Sequence, residues 1–263
     1  MSKPNSEPKN APMLEIGHLA KRFGGIVATD DVRLSIAPGE LHAVIGPNGA
    51  GKTTLIAQLS GQLMPDSGRI RFAGTDITRL PVYKRSALGL ARSFQITSLF
   101  LDHSVLDNVA LAVQAHAGHS FHFWRSARRE PELRDPAMAA LERVGLADRA
   151  DRRAADLSHG EHRLLELAMA LASKPRMLLL DEPMAGLGPD ESARMVTMLQ
   201  ALKGDYTILL VEHDMEAVFA LADRITVLVY GRVIASDVPD VIRADEAVRE
   251  AYLGEEEQEA GHG

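Results

Sequence analysis

Gly46-Pro47-Asn48-Gly49-Ala50-Gly51-Lys52-Thr53 fits the phosphate-loop pattern G-x-x-x-x-G-K-[ST]. An apolar run, Leu41 to Ile45, precedes it and reads as a buried strand. An apolar-periodic segment, Thr54 to Leu63, follows and reads as a helix. Strand, glycine loop and helix form the context this chemistry needs. Glycines let backbone N–H groups turn inward onto phosphate oxygens. The helix N-terminus adds partial positive charge. Lys52 then reaches the β- and γ-phosphates, and the Thr53 hydroxyl ligates Mg²⁺. A glycine turn that binds nothing has no need of a lysine followed by the hydroxyls of Thr53 and Thr54. The stretch implies nucleotide binding and leaves the class of nucleotide enzyme to the rest of the chain.

The chain has 263 residues, 46% of them hydrophobic, enough for one large domain or for one domain with a subdomain. It has no cysteine, which excludes disulfides and thiolate metal sites. Its net charge of −7 argues against a general nucleic-acid binder. Met1 to Pro12 is polar, lacks the apolar core of a signal peptide and reads as a flexible tail. No apolar run is long enough to span a bilayer, so any membrane role is expected to run through a partner.

Strand signals fall at Leu14–Leu19, Val32–Ile36, Leu41–Ile45, Arg69–Phe72 and Leu90–Phe94, with a turn expected over Lys21–Gly25 and another at Gly74-Thr75-Asp76. Pro81–Leu88 reads as a short helix. From Ile96 to Asp156 strand signals vanish. Val105–Ala117, Phe121–Arg129 and Ala137–Val144 read as helices, interrupted by Pro131 and Pro136, so a helical subdomain is expected at about 96–156. The α/β pattern then resumes with Met177–Leu180, Pro189–Leu202 and Thr207–Val211, a hairpin across Gly231, and a helix over Pro239–Leu253. Gly254–Gly263 is an acidic tail. Strands alternating with helices imply a mostly parallel sheet, and ligands bind at the C-terminal strand ends of such sheets. Thr53, Asp181 and His213 all fall there.

Each of these residues has a plainer reading. Asp181 can hold Mg²⁺ opposite Thr53, or can cap the next turn. Glu182 can deprotonate an attacking water, or can be a surface acid. Ser158-His159-Gly160-Glu161 is a capping box, and the same Ser158 hydroxyl and Gly160 N–H can bind phosphate. His116, His119 and His122 read as a solvated face, since Gly118 and Ser120 interrupt the helix and no acid completes a metal set. His159 and His162 belong to the helix that the capping box starts.

Gly46–Thr53, Gln95, Leu157–Glu161, Met177–Pro183 and His213 occur in this order and at these spacings. They resemble the Walker A, Q-loop, signature, Walker B and switch histidine of an ABC-transporter ATPase, over residues 13 to 253. Phe23-Gly24-Gly25, Ala91-Arg92-Ser93-Phe94-Gln95, Ala185-Gly186-Leu187 and Ala251-Tyr252-Leu253-Gly254 resemble the branched-chain amino acid importers within that family. The resemblance implies an α/β P-loop ATPase core with an antiparallel β subdomain and the inserted helical subdomain. It implies that Phe23 stacks on adenine, that Gly46, Pro47, Asn48, Gly49, Ala50, Gly51, Lys52, Thr53 and Thr54 hold ATP, and that Thr53, Gln95 and Asp181 hold Mg²⁺. Glu182 becomes the general base, with Lys52, Gln95 and His213 on the γ-phosphate, while Ser158 and Gly160 meet the phosphate of a second ATPase subunit, identical or paralogous. It implies transmembrane permease subunits, indirectly a substrate-binding protein, no nucleic acid, and a peripheral place on the cytoplasmic face of the inner (plasma) membrane. A urea or lipopolysaccharide transporter would use the same motor. A soluble ABC regulator would instead bring two ATPase domains or a long coiled coil. Three residues depart from the family pattern. The signature has His159 where glycine is usual and ends in Glu161 where glutamine is usual, and Gly188 stands where the family often has aspartate.

Overall fold

The computed structural model describes residues 11–93, 99–117 and 130–252. A hairpin of long strands, β1 (Leu14–Phe23) and β2 (Ile26–Ile36), leads into β3 (Leu41–Ile45) and α1 (Lys52–Ser60). Then come β4 (Ser67–Phe72), β5 (Thr75–Asp76), α2 (Val82–Ala87) and β6 (Leu90–Ser93). The helices α3 (Val105–Ala117), α4 (Pro131–Arg143) and α5 (His159–Ala172) follow. Next are β7 (Met177–Asp181), α6 (Pro189–Leu202), β8 (Thr207–Val211), α7 (Met215–Leu221), the hairpin β9 (Arg224–Val229) and β10 (Arg232–Asp237), and α8 (Pro239–Ala244).

The main sheet runs β10-β9-β3-β8-β7-β6. Every pairing from β9 to β6 is parallel, and β10 closes one edge antiparallel. Both faces are covered, which is why its central strands are continuous apolar runs. Leu41, Ala43 and Ile45, Leu178 and Leu180, and Ile208 and Leu210 point into the core beneath the helices. Val44, Met177, Leu179, Leu209 and Val211 alternate with them into a second core. That second core lies under α1 and the antiparallel sheet β2-β1-β4-β5. The expected α/β class, with a mostly parallel sheet and a separate antiparallel one, is therefore the observed architecture.

Several local expectations are corrected. Lys21, Arg22 and Phe23 continue β1, and only Gly24-Gly25 turns, because Lys21 pairs with Thr29 and its ammonium reaches Asp66 at 2.7 Å. Thr75 and Asp76 pair back onto Phe72 and Arg71 as a strand. α4 begins at Pro131 and runs through Pro136. Its buried stripe of Leu133, Ala137, Ala140 and Leu141 outweighs the missing N–H, whose carbonyl partner would sit on exposed Glu132 in the first turn. The expected helix over 239–253 breaks at Asp245, whose carboxylate caps the Val248 N–H of a second helical turn at 3.1 Å. α7 had no periodic signal strong enough to read; Asp214 caps it through the Ala217 N–H. The expected helix over 121–129 and both expected tails (residues 11 and 12 apart) lie outside the described residues.

Arg85 on α2 is fully buried. It donates to the carbonyls of Gln58 and Leu59 at 2.7 Å each, satisfying the C-terminal end of α1, and to those of Thr78 and Leu80. Burial lowers its pKa to about 10, which leaves it charged at neutral pH. One cation thereby fixes the far end of the helix that carries the phosphate loop.

Candidate functional site

β3 delivers Gly46 to the C-terminal edge of the sheet. Gly46 has φ 151°, and a Cβ there would lie 2.0 Å from the Leu228 carbonyl oxygen. Gly51 has φ 102°, and a Cβ would lie 2.1 Å from the carbonyl oxygen of Ala28 on β2. Two neighbouring strands thus press against the loop and leave space for glycine alone. Gly51 caps α1 without a side chain, so the first N–H groups of that helix remain for an anion. Lys52 is buried, and its ammonium donates to the carbonyls of Gly46 at 2.5 Å and Pro47 at 3.0 Å. Thr53, Asn48 and Gly49 are exposed, while Pro47 and Thr54 are half-buried and Ala50 is buried.

β8 lies beside β3, then β7, then β6. The phosphate loop, His213, the pair Asp181-Glu182 and the exit toward Gln95 therefore occupy successive positions along one sheet edge. Gln95 itself is outside the described residues. Asp181 does not cap a turn. It forms a buried ion pair with Arg92 of β6, whose Nη2 donates to Oδ2 at 2.9 Å. Arg92 also donates to Gln62 and, at 3.4 Å, to the Ser60 hydroxyl. Burial raises the Asp181 pKa; Arg92 opposes this, Glu182 adds to it, and Lys52 also opposes it. Arg92, Glu182 and Lys52 thus all act on the charge of Asp181. A basic residue on a strand that precedes an acid-tipped one is the sequence signal for Arg92, and only the pairing of edge strand β6 with β7 gives it meaning.

Glu182 is half-buried, with φ 51° in the left-handed region, and its N–H donates to the Val211 carbonyl at 2.8 Å. His213 is 65% exposed, free to face a ligand at the edge. The preceding Glu212 is fully buried and accepts the N–H groups of Met184 at 2.8 Å and His213 at 3.1 Å. Burial raises its pKa. Sequence reading passed over Glu212, since an acid beside a histidine carries no mark of burial.

Ser158 caps α5 in a full capping box with Glu161. Glu161 accepts the Ser158 N–H at 2.9 Å and Arg149 Nε at 3.0 Å. The Ser158 hydroxyl and the Gly160 N–H also converge, each at 3.2 Å, on Oε1 of Glu191 in α6. One carboxylate of the same chain therefore already occupies the two donors expected to bind an anion. Gly188, beside it, is the N-cap of α6. Phe23 is 49% exposed near the end of the hairpin whose β2 passes the loop at Ala28, and the Lys21 ammonium sits 5.5 Å from its ring centroid. Among the described residues no group of three His, Asp or Glu could hold a metal. His162 instead donates Nε2–H to the Ala154 carbonyl at 2.7 Å.

Comparison with known proteins identifies the family and agrees with the fold. A model of the ABC transporter family matches residues 29–185. A model of the branched-chain amino acid ATP-binding cassette transporter family matches residues 232–258. The chain is 38% identical over 251 residues to the high-affinity branched-chain amino acid transport ATP-binding protein BraF of Pseudomonas aeruginosa, covering 93% of this chain and 98% of that one. It is equally similar to LivG of Escherichia coli, over the same shares. It is 36% identical over 250 residues to a probable LivG of Archaeoglobus fulgidus, covering 94% and 97%. A nucleotide-free ATP-binding cassette from an ABC transporter superposes with a TM-score of 0.80 at 30% identity, covering 92% of this chain and 98% of that one. A cassette solved in its ADP conformation superposes with a TM-score of 0.82 at 30% identity, covering 92% and 99%.

Proposed function

This chain belongs to the ABC transporter ATPase family, and we propose that it is the ATP-hydrolysing subunit of an importer of branched-chain or related amino acids. The observation that carries the reading is the convergence of the phosphate loop, Asp181-Glu182 and His213 on adjacent strand ends of one sheet. The match at 232–258 and the names of the relatives favour amino acids over urea or lipopolysaccharide as cargo.

Phosphoryl transfer to water depends on positioning and charge neutralisation. The loop N–H groups and Lys52 grip the phosphates. Lys52 exchanges a loop carbonyl for a phosphate oxygen to do so. Thr53, Asp181 and Gln95 would hold Mg²⁺, which would neutralise phosphate charge; the Thr53 hydroxyl and the Asp181 carboxylate are the hard oxygen donors such an ion takes. Glu182 accepts the proton of the attacking water. His213 hydrogen-bonds the γ-phosphate, and Phe23 stacks on adenine. Ser158 and Gly160 serve the nucleotide of a second ATPase subunit, identical or paralogous, so ATP is sandwiched at a seam. The ATPase domain spans 13–253 between tails at 1–12 and 254–263, and its helical part at about 96–156 follows the state of Gln95.

Permease subunits hold the chain at the cytoplasmic face of the membrane, and a substrate-binding protein supplies cargo through them. Among the described residues no helix is long and apolar enough to cross a membrane. The family resemblance implies a permease groove beside Gln95, and the apolar residues of Ile96–Phe100 would line it; of these, 96–98 lie outside the described residues. Leu99 packs on the core, whereas Phe100 and Leu101 are 50% and 49% exposed, so the outward part of that groove is Phe100 and Leu101. The test is reconstitution with the copurified permease in vesicles. Leucine with its binding protein should stimulate ATP hydrolysis, and a photo-crosslinker at position 100 should capture the permease. Crosslinks confined to the acidic tail, or hydrolysis indifferent to every amino acid, would overturn the reading.

A further inference from the structure

Glu212 is completely buried, and its carboxylate faces backbone rather than solvent. Oε1 accepts the Met184 N–H at 2.8 Å, and Oε2 accepts the His213 N–H at 3.1 Å, with the His213 imidazole Nδ1 at 3.7 Å and the Asp214 backbone close by. An acid this deep is expensive unless its oxygens are satisfied. Here each oxygen is satisfied by a different loop. One follows β7 and the other follows β8.

Met184 lies two residues after Glu182. Glu182 holds φ 51°, a conformation that persists in a non-glycine residue only where its surroundings over-determine it. Two anchors bracket it. Its own N–H is held by the Val211 carbonyl at 2.8 Å, and the Met184 N–H is held by Glu212. The second oxygen of the same carboxylate holds the backbone N–H of His213 itself. A carboxylate suits this place because it accepts on both sides and donates on neither.

We infer that Glu212 is a positioning residue for hydrolysis: one buried carboxylate holds the Glu182 turn and the His213 loop in fixed register. The inference rests on the reading of Glu182 as general base. It concerns a fully buried residue that acts through the two loops.

Glu212→Gln in the full-length chain is the test. Its amide keeps the shape but has one accepting side, so one loop meets N–H with N–H. Turnover should fall by about 10- to 10²-fold, the scale of a small misplacement of a reacting group. ATP affinity should change by less than about threefold, because the interaction lost is made in the transition state. In a Glu182→Gln background the same change should cost much less, since the group it positions is already disabled. Hydrogen exchange should quicken together in 182–188 and 212–217. Wild-type turnover in Glu212→Gln overturns the inference, and so does an equal fold-loss in both backgrounds, which would mark a general structural defect. If the variant fails to fold, exchange in the wild-type chain decides. The Met184 and His213 amides should be protected to the same degree, and unrelated, unprotected rates overturn the inference. A wild-type chain that does not turn over ATP with its partners counts against the proposed function, a failure distinguishable from these.

Discussion

The Arg92 guanidinium and the Asp181 carboxylate form a buried ion pair, 2.9 Å apart, with side chains only 9% and 6% exposed. The pair joins β6 to β7 directly under the site, so Arg92 opposes the rise in pKa that burial imposes on the acid beside Glu182. Arg92→Met should destabilise the nucleotide-free chain by about 3–5 kcal/mol, the usual consequence of orphaning one partner of a buried pair. Asp181 already titrates above its ordinary range, chiefly through burial, and losing Arg92 raises it further. Its penalty is present above that raised pKa and vanishes as pH falls through it. The deficit, read from urea unfolding, should therefore shrink on acidification. A deficit constant with pH would assign the cost to packing.

Lys52→Ala should weaken ATP binding by about 10- to 10²-fold, the scale of one or two charge-assisted hydrogen bonds, and abolish turnover. The change also frees the Gly46 and Pro47 carbonyls from their ammonium. Titration calorimetry with Mg-ATP reads the affinity, and an unchanged value would remove the phosphate-loop assignment.

Glu182→Gln retains shape but accepts no proton, so turnover should fall by about 10²–10⁴-fold while ATP still binds. The γ-phosphate then persists, and ATP, unlike ADP, should accumulate a closed dimer in size exclusion with the partner ATPase present. Adding Ser158→Arg should block that dimer. Adding Glu191→Gln should favour it at lower ATP, because Glu191 otherwise competes for Ser158 and Gly160. A dimer indifferent to Ser158→Arg would refute the seam.

Glu161→Gln restores the usual signature residue and removes an ion pair with Arg149. Burial pushes the Glu161 pKa up, but the Ser158 N–H and Arg149 outweigh it, and the net shift is downward. Such a group stabilises the fold above its unfolded pKa of 4.5 and loses that contribution as pH falls through its lower folded value. The variant should melt lower than wild type at pH 7, with the gap closing as pH falls below 4.5 on that account. Parallel thermal-melt curves over this range would show that Arg149 contributes nothing through charge.

The phosphate loop, the capping box of Ser158 and Glu161, and the buried strands ending in Asp181 and His213 were all legible in the chain. Each is encoded locally, by residue type, spacing and hydrophobic period within one element. β3, β8 and α6 were placed to the residue for that reason. The antiparallel strands β1 and β2 were read short, because their pairing partners and not their own composition extend them. Residue chemistry alone therefore determined that this chain grips a nucleotide at a parallel-sheet edge. Tertiary structure alone decided what steadies that edge. Arg92 meets Asp181 across 89 residues, Ser158 meets Glu191 across 33, and Met184 meets Glu212 across 28. A charge shows its partner only when folding has desolvated both, and no pattern along the chain records which two groups will be buried together.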